Sequence, residues 1–214
     1  MRKFTYLSVI IRQGILTTQL KDIMDNMQYR ILVLLAHPSM HHSTVNKTLK
    51  DAIKHIDGVT LHDLYDSYPE FYIDAKYEQQ LLLQHDLVVF QHPLYWYSTT
   101  PMLKLWQDVV FSRGFAYGNN GTALHGKDFI QIISTGGKAE AYQINGCNQF
   151  TIDQLMAPLK ATAKMCGMNF HPPLVVHKSY KITNSELEEY SKKYCDLLTA
   201  YSLEGAKCFN QENI

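Results

Sequence analysis

Tyr29-Arg-Ile-Leu-Val-Leu-Leu-Ala36, broken at once by His37-Pro38, is the stretch that decides the fold. Its apolar residues run without alternation, too short for a helix and with no solvent face. Such a run suits a parallel strand buried on both sides. Two further segments repeat the pattern: Asp86-Leu-Val-Val-Phe-Gln91, stopped by His92-Pro93, and Lys127-Asp-Phe-Ile-Gln-Ile-Ile-Ser134, stopped by Thr135-Gly136-Gly137. Val59 to Leu64 reads as a strand of alternating exposure, and Leu174 to His177 as a short fifth strand. Helical patterning fills the intervals, at about Thr44–His55, Asp74–Gln84, Met102–Arg113, Thr151–Cys166 and Ser185–Leu203. Leu103, Trp106, Val110 and Phe111 share one stripe of the third of these, equally consistent with a core or an interface. Thr183-Asn184-Ser185, followed by Glu186 and Glu188, supplies the last helix with its cap and acidic first turn.

Strands alternating with helices imply right-handed crossovers and a parallel sheet covered on both faces. Five strands suit an open doubly wound α/β sheet rather than an eight-stranded barrel. Ligands of such sheets sit outside the carboxyl ends of the strands, where strand order reverses. The loops after the first, third and fourth strands therefore carry the functional information.

Composition narrows the classes. The 214 residues are 46% hydrophobic, with twenty acidic against twenty basic side chains. That excludes intrinsic disorder and gives no global field for nucleic acid. Cys147, Cys166, Cys195 and Cys208 are widely spaced without C-x-x-C, the pattern of unpaired thiols in a cytoplasmic protein. No run approaches the ~20 apolar residues of a membrane span. Arg2 and Lys3 precede the apolar run Phe4–Ile11, which Arg12 interrupts with no small-residue cleavage site after it, so it is not read as a secretory signal. Residues 1–26 read as an N-terminal extension, and residues 27–214 as the functional domain.

The first strand-end loop, His37-Pro-Ser-Met-His-His-Ser-Thr-Val-Asn46, is rich in small hydroxyl residues and opens into a helix. Its N–H groups and the helix dipole suit a phosphate, with Ser43 and Thr44 adding hydroxyls and Asn46 bracing the turn. A capped helix without ligand fits equally. No G-x-x-x-x-G-K-[ST] or G-x-G-x-x-G occurs, which disfavours nucleoside triphosphates and a Rossmann-type dinucleotide site. His37, His41 and His42 lack a Cys or carboxylate at ligand spacing, so no metal is expected.

The second loop, His92-Pro-Leu-Tyr-Trp-Tyr-Ser-Thr-Thr-Pro101, sets Tyr95, Trp96 and Tyr97 together at a strand end. Three consecutive aromatics fit neither strand alternation nor helical spacing. They offer a flat apolar wall beside backbone donors and acceptors, as a tricyclic heterocycle such as isoalloxazine requires. An oligomerisation patch is the alternative. In the third loop, Ser134-Thr-Gly-Gly137, the glycines permit positive φ and close approach of a ligand. Phosphate cradle, aromatic wall and close-approach backbone together describe a flavin mononucleotide half-site.

On these residues the chain resembles the flavodoxin-like NAD(P)H:quinone oxidoreductases of the DT-diaphorase type. Within them it is most similar to the ancillary proteins of glutathione-regulated potassium-efflux systems. Ala36-His-Pro, His42-Ser-Thr-Val-Asn-Lys47, Gln91-His-Pro-Leu-Tyr-Trp-Tyr-Ser98 and Pro101-Met-Leu-Lys-Leu-Trp106 carry the resemblance. Gly114-Phe-Ala-Tyr-Gly118, Thr122-Ala-Leu-His-Gly-Lys127, Thr135-Gly-Gly137 and His171-Pro-Pro173 complete it.

The resemblance implies a flavodoxin fold, a homodimer, and two-electron reduction of quinones by NADH or NADPH in a ping-pong cycle. It places flavin phosphate and ribityl contacts on His37, Ser43, Thr44, Val45 and Asn46. Ring contacts fall on Leu94, Tyr95, Trp96 and Tyr97, and further contacts on Ser134, Thr135, Gly136 and Gly137. The lack of a long C-terminal extension favours FMN over FAD. Tyr142 matches a Tyr that handles proton and charge in the family, and Trp96 is the second catalytic candidate. The partner His of the family falls near Asn148, which cannot take a full proton, so Tyr142 is either a hydrogen-bond donor only or a plain loop aromatic. The resemblance also allows a regulatory subunit on the cytoplasmic face of a potassium antiporter, with or without enzymatic activity. A flavin-free binding module is the remaining class.

Overall fold

The computed structural model describes residues 28–210, so the N-terminal extension lies outside the described residues. An inner strand, β1 (Ile31–Leu35), is wholly buried and pairs in parallel on both sides. On one side lies β2 (Val59–Asp63), on the other β3 (Leu87–Pro93), which in turn pairs with β4 (Asp128–Ser134). Beyond β4 come two short segments, β5 (Asn169–Phe170) and β6 (Leu174–Val176), both parallel to it. The strand order β2-β1-β3-β4-β5 reverses between β1 and β3. Their carboxyl ends therefore flank the crevice where such sheets bind ligands.

Helices cover both faces: α1 (Thr44–Ile53), α2 (Leu64–Ser67), α3 (Ala75–Leu83), α4 (Pro101–Val110), α5 (Ile152–Leu155), α6 (Ala157–Met165) and α7 (Asn184–Glu204). Alternate residues of each strand feed opposite cores. Leu32, Leu34, Val88 and Phe90 pack with Leu103 and Trp106 of α4 on one face. On the other, Ile31, Val33 and Val89 meet Leu49 and Ile53 of α1 and Tyr194 and Leu198 of α7. Trp106, whose stripe fitted core or interface, is fully buried, and its indole N–H donates to Glu78 Oε2 at 2.7 Å.

The structure corrects two expectations and adds one element. The expected fifth strand stands as β6, and the two-residue β5 precedes it. Pro172 and Pro173, which have no N–H for a ladder, part the two, and the His171 N–H between them donates to Phe129 O at 2.8 Å. β2 does not alternate: all five residues are half-buried, as befits an edge strand with partial cover on both faces. The helix expected from Thr151 to Cys166 breaks at Met156, since Pro158 cannot donate to the carbonyl of Gln154 four residues back.

Candidate functional site

The first turn of α1 is built by Ser43, whose side chain accepts the Asn46 N–H at 3.1 Å. Helix geometry leaves the N–H groups of Thr44 and Val45 without helical acceptors, and they point out of the strand end with the positive end of the dipole. His37, the last residue before the turn, accepts the Ser39 N–H on Nδ1 at 3.1 Å, which leaves its proton on Nε2. Burial lowers the His37 pKa below its ordinary value, against an upward pull from Asp63.

The second loop is a tight hairpin. Tyr95 N–H donates to Ser98 O at 3.0 Å and Ser98 N–H to Tyr95 O at 2.9 Å. The two residues between them, Trp96 and Tyr97, have φ of 46° and 63°. A type I′ turn requires positive φ at both positions and usually takes Asn or Gly there. Bulky aromatics in the left-handed region are strained, and such strain concentrates at ligand sites. Its result is an indole held 92% exposed at the cavity mouth.

The third loop behaves differently from its sequence expectation. Neither Gly136 nor Gly137 has positive φ; what each supplies is the absence of a Cβ. A Cβ on Gly136 would lie 2.9 Å from the Tyr180 ring, and one on Gly137 would lie 3.1 Å from the Tyr142 ring. The close approach this backbone makes is to two aromatic rings of the chain itself. Thr135 N–H is spent on Val176 O at 2.9 Å, and Thr135 Oγ1 donates to Gly137 O at 3.0 Å and lies 3.0 Å from His177 Nδ1.

Buried hydrogen bonds tie the three loops together. Asn46 Nδ2 donates to Ser134 Oγ at 2.9 Å, Gln91 Nε2 to Asn46 O at 3.1 Å, and Leu94 N–H to Ser134 O at 2.8 Å. Thr100 Oγ1 donates to Ala36 O at 3.2 Å. Tyr194 of α7 closes the set by donating to Gln91 Oε1 at 3.3 Å.

These turns enclose a cavity of about 690 Å³, within the roughly 300–1,000 Å³ usual for cofactor pockets. His37, Ser43, Thr44, Val45, Asn46, Leu94, Tyr95, Trp96, Tyr97, Ser134, Gly136, Gly137 and Tyr142 all line it. Thr135 does not: it is 1% exposed and turned toward His177. The structure adds Ser179 and Tyr180, from the loop after β6, and Cys147 and Asn148. The sheet rule could have reached the first pair, since their loop also leaves a carboxyl end. His177, behind the glycines, has its ring 5.6 Å from that of Tyr142 and its pKa lowered by burial.

A flavin mononucleotide fits this lining on two independent grounds. Open N–H groups of α1 face the cavity, and the buried Asn46 Oδ1 has no protein partner. An acceptor so placed requires a donor from a ligand or water, and a ribityl hydroxyl would supply one. Among the described residues no group of three His, Cys, Asp or Glu side chains is arranged to hold a metal, and no helix is long and apolar enough to cross a membrane.

Comparison with known proteins agrees with this architecture. The family model described as flavodoxin-like fold matches residues 29–198. General stress protein 14 of Bacillus subtilis (strain 168) is 41% identical over 169 residues, 79% of this chain and 97% of that protein. A solved general stress protein 14 from Treponema denticola, in complex with FMN, is 37% identical with TM-score 0.76, covering 80% of this chain and 98% of that one. An NADPH-quinone reductase from P. pentosaceus is 32% identical with TM-score 0.73, over 82% and 98% of the two chains. A chain described as a thermophilic tryptophan halogenase from Streptomycin violaceusniger is 46% identical with TM-score 0.75, over 76% and 95%.

Proposed function

This chain belongs to the family of flavodoxin-like fold, and we propose on that premise that it is an FMN-dependent NAD(P)H:quinone oxidoreductase. The observation that carries the reading is the single cavity made by three strand-end turns, with free helix N–H groups at one side and an aromatic wall at another. When bound, FMN would supply reversible two-electron chemistry, accepting from NADH or NADPH and passing to a quinone. The FMN complex of the Treponema relative supports FMN rather than FAD, and the quinone reductase relative supports the acceptor.

The chain's own residues divide the work. Thr44 and Val45 N–H groups hold the phosphate, while Asn46 and Ser134 fix the turn that carries them. Leu94 to Tyr97 form the wall for the ring, with Trp96 set at its open edge. Gly136 and Gly137 let the ring's polar edge reach backbone. Tyr142, 7% exposed and lining the cavity, acts as a hydrogen-bond donor to charge developing in the site. Asn148 can accept the Tyr97 hydroxyl at 3.5 Å but cannot carry a proton, so solvent delivers the proton to the reduced acceptor.

The working state in this reading is a cytoplasmic homodimer, which light scattering of the purified protein tests. The test of the activity is direct. Protein purified after expression should be yellow, release FMN on denaturation, and oxidise NADPH or NADH only when a small quinone is present. A colourless protein that FMN does not reconstitute refutes the reading. A companion role as regulatory subunit of a potassium antiporter rests on the sequence blocks alone; unchanged potassium efflux after deletion of the gene removes it.

A further inference from the structure

A second cavity, of about 660 Å³, opens beside the first and shares Tyr97, Cys147 and Asn148 with it. Phe150, Leu155 and Pro158 supply most of its remaining apolar wall, and three neutral polar side chains complete the lining. No lining side chain is charged. We propose that this cavity receives the uncharged hydrocarbon tail of the quinone acceptor, whose ring occupies the adjoining site; the assignment rests on the quinone reductase reading above.

The cavity is built by the chain rather than left by a loose loop. Gly146 N–H donates to Gln143 O at 2.9 Å, Asn148 N–H to Ala141 O at 3.1 Å and Gln149 N–H to Gly146 O at 3.0 Å. A Cβ at Gly146 would lie 2.4 Å from Glu140 O, so only glycine lets this segment seat on the turn before it. Gln149, at φ 58°, then reverses the chain and brings Phe150 out 54% exposed into the cavity wall.

Charge selects the occupant. Phosphates of a nicotinamide dinucleotide would meet no cation in this lining and would be stripped of water without compensation. An alkyl or prenyl chain would meet Phe150, Leu155, Pro158 and the Tyr97 ring, and would lose nothing by the lack of charge. Continuity through Tyr97 and Asn148 means one molecule can span both cavities.

The experiment uses the FMN-loaded protein and a series of quinones with one common ring and saturated side chains of increasing length. Complete burial of a methylene is worth about fourfold in binding, and a half-open cavity about half of that free energy. KM should therefore fall about twofold per added carbon over the first few, and Phe150→Ser should flatten the series while Phe150→Leu preserves it. A KM independent of chain length in the wild-type protein, with the tail-less quinone still reduced, overturns the proposal and leaves the quinone reductase reading standing. A rise in the KM for NADPH in Phe150→Ser, with the chain-length slope intact, overturns it by assigning the cavity to the donor. Failure of wild-type protein to reduce even the tail-less quinone refutes both.

Discussion

The side-chain amide of Asn46 donates to the hydroxyl of Ser134 over 2.9 Å, joining residues 88 positions apart at the carboxyl end of the sheet. Both are buried, and through them the turn that opens α1 is fixed to the end of β4. Asn46→Ala removes this tie and leaves the serine hydroxyl without its donor. The variant should lose about 1–2 kcal/mol of stability and bind FMN about tenfold more weakly, read by denaturant unfolding and by quenching of flavin fluorescence.

The two glycines of the third loop should respond differently. Gly136→Ala places its methyl against the ring of Tyr180, which is 89% exposed and free to swing aside, so flavin content should stay near normal. Gly137→Val drives into the buried Tyr142 ring, and flavin occupancy of the purified protein should fall severalfold. Equal occupancy in the two variants would contradict this placement.

Trp96 contributes exposure rather than packing. Trp96→Gly relieves a left-handed backbone that costs a bulky residue about 1 kcal/mol, so the melting temperature should hold or rise by a few degrees. Quinone turnover should fall in the same variant. A destabilised protein with normal turnover would reverse the argument.

Stability should also depend on pH in a defined direction. Burial holds His37, His85, His92 and His177 below the ordinary imidazole value of 6.5. Below that value the unfolded chain takes up protons that the folded chain refuses. Stability therefore rises with pH through the window between the lowered values and 6.5, and is lost on acidification. Unfolding free energies measured at pH 5, 6 and 7 should increase in that order; a flat profile would show that these rings titrate in the fold as they do in the unfolded chain.

Outside the cavity lining, Glu78 is fully buried under three donors: Trp106 Nε1 at 2.7 Å, Tyr68 OH at 2.6 Å and His62 Nε2 at 2.7 Å. Glu78→Leu leaves all three unpaired and should cost about 3–5 kcal/mol. FMN affinity in whatever folded protein remains should be unchanged, which separates this network from the site.

Much of the fold was legible because strands buried on both faces write uninterrupted apolar runs, as Ile31–Leu35 and Leu87–Phe90 do. β5 was not, since two residues carry no pattern. Within the site, residue types announced the phosphate turn and the aromatic wall. The geometry of the wall stayed hidden, because a type I′ turn is normally betrayed by Asn or Gly, and here Trp96 and Tyr97 occupy it. The same habit led to positive φ being expected at Gly136 and Gly137, which need only room. Thr135 sits within the right loop, yet its side chain faces the other way. Tyr180 lies on the loop after β6, a carboxyl end to which the sheet rule also applies, whereas Cys147 enters through the folding of the loop after β4, which local sequence does not record.

The interrupted outer strand beside β4 has a consequence for behaviour in crowded solution. A sheet margin normally presents a continuous row of amides on which a stray chain can crystallise into fibrils. Here that row is cut into two- and three-residue lengths by a pair of imino acids with no hydrogen to offer. That margin of the sheet thereby denies neighbours a template, and putting ordinary residues in place of Pro172 and Pro173 would make it stickier there without touching the molecule's chemistry.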